Sequence, residues 1–107
     1  MASKGIKNET AEIISTVRFQ VVRLNKTLDG EDRDRYIRNL KITLNTSISK
    51  LSMILMFNKE PREGDKQSIQ FVESLMNDFD RLFELMGTDQ VKAIEELNKI
   101  ILPYKRT

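Results

Sequence analysis

Apolar residues recur at alternating steps of three and four along three separate stretches of this 107-residue chain. Ile14, Val17, Val21, Leu24 and Leu28 form the first set. Ile37, Leu40 and Leu44 form the second, and Leu51 and Ile54 resume its register; Ile69, Val72, Met76, Phe79, Phe83 and Met86 form the third. Such spacing places side chains on one face of an α-helix as a seam for a neighbouring helix. A chain with three seams of this kind is predicted to be all-α, an antiparallel up-down bundle. A fourth, shorter helix carries Val91, Ile94, Leu97 and Ile101 on one face.

Helix boundaries follow from local chemistry. A tail over 1–7 precedes Asn8, a candidate N-cap with Glu9 and Glu12 near the helix N-terminus. The first helix is expected over about 9–28, ending at Asp29-Gly30. Glu31, Asp32 and Asp34 open a second helix over about 31–57. The stretch from Asn58 to Gly64 holds charges and Pro61 but no apolar residue, and reads as a loop. Asp65, with Ser68 in the reciprocal position, is the expected cap of a third helix over about 66–86 that stops at Gly87. Thr88 is the expected cap of a fourth over about 89–102, ended by Pro103 ahead of a basic tail. The whole of 1–107 reads as one domain.

Several chemistries lack their residues. The chain has no cysteine and no histidine, which removes thiolate chemistry, the commonest general base and the commonest transition-metal ligand. A carboxylate stripe on the third helix, Glu73, Asp80 and Glu84 with Asp78 nearby, has no histidine to complete a bundle metal site. It reads as a solvated face, with no metal and no cofactor implied. The four glycines lie far apart and form no phosphate loop. Arg18, Arg35, Arg38 and Arg81 show no diagnostic spacing for an anionic substrate, so no enzyme is expected. No apolar run reaches membrane-spanning length and the N-terminus lacks a signal-peptide core, so the expected location is cytoplasmic. No motif matches a known family residue by residue.

Two surfaces remain as candidates. The end of the second helix, from Ile48 to Phe57, is apolar on more than one side. Leu51, Ile54, Leu55 and Phe57 are the expected partner-binding residues of a protein–protein interaction module working as a homo-oligomer; small regulator, inhibitor, immunity factor and assembly adaptor all fit. The methionines Met53, Met56, Met76 and Met86 would make such a surface adaptable. The short fourth helix is expected to leave part of the groove between the first and third helices uncovered, with the Leu51–Phe57 segment along the opening or a second subunit closing it. Charge supplies the alternative. Residues 1–59 hold eleven Lys/Arg against six Asp/Glu, a net of +5, and residues 60–107 carry a net of −3. Arg33, Arg35, Arg38 and Lys41 on the first hairpin are the residues by which a nucleic-acid-binding accessory protein would follow phosphates.

Overall fold

The computed structural model describes residues 5–27 and 30–104. It has four α-helices: α1 (Ile6–Asn25), α2 (Glu31–Phe57), α3 (Lys66–Thr88) and α4 (Gln90–Ile101). A single 3-10 turn, Glu63–Asp65, leads into α3, and no strand occurs among the described residues. No described helix is long and apolar enough to cross a membrane.

Consecutive helices pack as hairpins. Near the α1–α2 turn, Arg23 of α1 donates to Tyr36 Oη of α2 at 3.1 Å. Lys41 of α2 sits over the Phe83 ring of α3, while Leu55 near the end of α2 shares a cleft with Ile69 at the start of α3. Arg81 of α3 pairs with Glu96 of α4 at 3.0 Å, and Phe71 meets Tyr104 edge-on at 5.8 Å. The ring is closed between the first and last helices, where Asn25 donates to Asn98 at 2.6 Å. The body is elongated, 47 × 27 × 22 Å.

The seams of α1 and α2 are buried in the predicted register. Val17, Val21, Leu24, Leu40, Leu44 and Leu51 are essentially inaccessible, and Ser47 fills the step between Leu44 and Leu51. A small side chain there lets neighbouring helices approach without a void. The α1 seam begins one turn earlier than expected: Ile6 is buried and Thr10 Oγ1 donates to its carbonyl at 2.7 Å. Helix formation therefore starts after Gly5 rather than at Asn8, because burying Ile6 outweighs the better cap. Residues 1–4 and 105–107, and with them the basic tail, lie outside the described residues, as do Leu28 and Asp29. Gly30 takes a φ of 92°, a backbone state that residues with a Cβ rarely adopt.

Five further expectations are corrected. On α3 the innermost residues include Leu75 and Leu82, while Met76 and Phe83 are only half-buried. α3 packs against α2 on one side and α4 on the other, so its apolar face is wider than one seam. Val91 is exposed, and Ala93 takes its place beside Ile94, Leu97 and Ile101 on the inner face of α4. Gly87 does not stop α3, which runs to Thr88. A single residue, Asp89, turns the chain into α4 and caps it, its Oδ1 accepting from Lys92 N at 3.2 Å. Asp65 makes no side-chain cap; the preceding 3-10 turn supplies the entry to α3, and Ser68 is buried.

Candidate functional site

A cavity of about 990 Å³ forms an open groove between α1 and α3. It exists because α4 is short. α4 is wedged between α1 and α3, and Tyr104, three residues past its end, rests on Phe71. Past that point α1 continues back from Phe19 to Ile6 with α2 packed on one side and the open groove on the other. Fourteen residues of helix correspond to roughly 20 Å. The floor is formed by Thr10, Ile14 and Ser68, all buried, and the walls by Phe19, Val22 and Phe71. Phe19 is 62% exposed, an unusual cost for an aromatic ring unless something covers it.

Electrostatics is confined to the rim. Lys7, Glu12 and Arg18 line the groove and are all exposed. At the closed end the Tyr104 hydroxyl is held protonated above the ordinary tyrosine range, first by its burial and second by the negative charge of Asp78. Arg23 braces the outer side of Phe19, its guanidinium 5.6 Å from that ring centre and 4.9 Å from that of Tyr36.

The predicted partner-binding residues are not on this groove. Leu51 is inaccessible and Ile54 nearly so; both belong to the core, because they continue the seam that packs α2 onto α1 and α3. Leu55 is half-buried and lines a smaller cleft of about 480 Å³ against α3. Only Phe57 is free of the core, at 75% exposure. The exposed apolar residues here are instead Met53 and Met56, one helical turn apart beside Phe57. The Leu51–Phe57 segment does not lie along the α1–α3 opening, since α2 occupies the other side of the bundle.

The basic hairpin is divided among separate tasks. Arg33 Nη1 donates to the carbonyls of Leu24 and Thr27 at 3.2 and 2.7 Å, closing the C-terminal end of α1. Arg35 pairs with Asp32 at 2.9 Å, and Lys41 lies 5.5 Å from the centre of the Phe83 ring. Arg38 is exposed and makes no ion pair among the described residues. On α3, Arg81 approaches Asp78 at 3.9 Å as well as Glu96. Among the described residues no three carboxylates gather where an ion would be held.

Sequence reasoning located the opening between α1 and α3 but not its walls. Phe19, Val22 and Phe71 lie off the seams, and that was their signal: apolar residues outside a seam, on the two helices a short fourth helix leaves uncovered. Compared with models of known protein families, with curated proteins and with solved structures, the chain finds no match.

Proposed function

We infer that this protein is a non-enzymatic interaction module that receives one amphipathic helix of a protein partner in the groove between α1 and α3. The observation that carries the reading is Phe19, standing exposed on the wall of a helix-sized gap beyond the end of α4. α4 already shows what fits between α1 and α3, namely a helix with Ala93, Ile94, Leu97 and Ile101 turned inward. A partner segment of three to four turns would continue that path, with apolar residues at i, i+3, i+4 and i+7. Arg18 and Lys7 on the rim favour an acidic residue on its outer edge. The exposed rim charges and the aliphatic and aromatic walls suit burial of a side chain better than proton transfer, so binding is the activity assigned. Regulation, inhibition or assembly would each follow from occupying a partner in this way.

The test is selection of 14-residue helical peptides from a display library against the purified chain, followed by NMR shift mapping. Amphipathic peptides that perturb Val22, Phe71 and Tyr104, and that lose affinity about ten-fold or more with Phe19→Glu, support the assignment. Phe19 is exposed, so circular dichroism of that variant should match the parent. Peptides that map elsewhere, or a library that yields no binder, overturn it.

A further inference from the structure

The turn between α3 and α4 is a single residue, Asp89, and nothing in its chemistry requires a turn. Its φ of −143° and ψ of 84° border the broad extended region, which any residue can leave for the helical one. Its N–H donates to the Leu85 carbonyl at 2.7 Å, and its own carbonyl accepts from Ala93 N at 3.0 Å. Both are the four-residue bonds of an uninterrupted α-helix. The other turns are held differently. Pro61, on the way from α2 to α3, lacks the N–H that a helix needs, and Gly30 ahead of α2 stands at a φ of 92°. Between Met86 and Ile101 there is no proline, and Gly87 lies within α3 without a positive φ.

The apolar seam of α3 also runs on through this turn. Ile69, Val72, Met76, Phe79, Phe83 and Met86 follow alternating steps of three and four, and the next positions in those steps are Gln90, Ala93, Leu97 and Ile100. Ala93 and Leu97 are inaccessible, and Ile100 is half-buried against the core. If Asp89 turned helical, α3 and α4 would join into one helix from Lys66 to Ile101 with a single seam along its length. The change would replace the Asp89 side-chain cap on Lys92 N by the ordinary helical bond to the Thr88 carbonyl. α4 would leave its place against α1 and α3, uncovering Ala93, Ile94, Leu97 and Ile101 together with the surface they fill. The occupant shown to fit that surface is α4 itself.

We propose that two copies of this chain exchange their fourth helices, each straightening at Asp89 and laying its α4 between α1 and α3 of the other. The contacts that α4 makes within one chain are then made between two. Arg81 of one copy pairs with Glu96 of the other, and Asn25 of one with Asn98 of the other. The joined helices run antiparallel about a two-fold axis at the turn, because Arg81 and Glu96 lie at nearly equal separations before and after Asp89. Gly87 and Thr88 are small enough to let the two helices cross closely there. The arrangement is isologous and closed, so it ends at a dimer. Tyr104 travels with α4, and the end wall of each α1–α3 groove then comes from the other chain.

The chain has no cysteine, so introduced thiols can report the exchange directly. Asn25→Cys and Asn98→Cys in one chain should be joined within the monomer by a short bis-maleimide, which establishes the reach of the reagent. Placed on separate chains that are mixed in urea and refolded together at high concentration, the same two thiols should join one chain to the other. Light scattering of the parent refolded in this way should show a dimer. Asp89→Ala removes the cap and favours the helical state, and should lower the dimer dissociation constant about ten-fold or more. Gln90→Pro suits the first position of α4 but forbids a helix running through it, and should hold the chain as a monomer with the helical spectrum of the parent. A parent that gives no dimer overturns the proposal. So does a dimer whose mixed thiols do not join, since it would be built through another face, and so does a dimer that Gln90→Pro leaves intact. None of these outcomes depends on what occupies the α1–α3 groove, which the peptide selection tests separately.

Discussion

Arg33 donates to the carbonyl of Thr27 at 2.7 Å, and the same nitrogen reaches the carbonyl of Leu24 at 3.2 Å. A side chain from the first turns of α2 thus satisfies backbone acceptors that the end of α1 leaves open. The two helices are joined by more than their seam. Removing the guanidinium with Arg33→Ala should lower unfolding stability by about 1.5–3 kcal/mol, the range for hydrogen bonds to charged groups. Arg38→Ala should stay within about 0.5 kcal/mol. Urea unfolding of the two variants, followed at 222 nm, separates a structural arginine from a surface one.

Leu51 and Phe57 stand six residues apart on one helix with opposite fates. Leu51→Ala removes an inaccessible side chain from the centre of the α2 seam and should cost about 2–5 kcal/mol. Phe57→Asp removes an exposed ring and should change monomer stability by no more than about 0.5 kcal/mol. A large loss of stability in Phe57→Asp would return that ring to the core.

Gln20 Oε1 is buried with no hydrogen-bond partner in the structure. An unpaired buried acceptor is a net cost to folding. Gln20→Met keeps the length of the side chain and removes the polar atoms, and it should raise stability by about 1 kcal/mol. Thermal and urea unfolding of the variant would show the gain as a higher midpoint at unchanged cooperativity.

Tyr104 should titrate above the ordinary tyrosine value of 10.0 in the folded chain. Burial disfavours the phenolate first, and the Asp78 charge adds to it. The folded state holds its proton where the unfolded state releases it. The associated stability is therefore complete below pH 10.0 and is lost as pH rises through the folded value. Phenolate absorbance at 295 nm in a Tyr36→Phe background reads this group alone. The midpoint should fall in denaturant, and Asp78→Asn should lower it part of the way. A helix seated in the groove would cover Tyr104 further and raise the midpoint again.

Much of the architecture was legible in the sequence, because seam spacing alone decides which side of a helix faces its neighbours. The registers of α1 and α2 follow from it directly. Reasoning from one seam failed where a helix has two neighbours, as with Leu75 and Leu82 on α3. It failed again where a cap competes with burial, as at Ile6. Asp89 was not legible as the cap of α4, because the choice between Thr88 and Asp89 depends on where α3 lets go. The candidate surfaces were harder still. Leu51 and Met53 are both apolar and two residues apart, and only the packing of α2 says which is hidden. The basic hairpin looked like one patch because residues close in sequence were counted together. Arg33, Arg35 and Lys41 each serve a different neighbour.

The hairpin arrangement also bears on how the chain finds its fold. Each helix packs on the one that follows it, so most contacts close over a turn and a helix length rather than across the whole sequence. Closing short loops costs little chain entropy, and topologies of this kind fold in microseconds to milliseconds. The longest-range meeting is that of α1 with α4, fastened at Asn25 and Asn98, which must span most of the chain. That junction should form last and open first. In native-state hydrogen exchange, the amides on the α4-facing side of α1 should lose protection before those of α2 and α3.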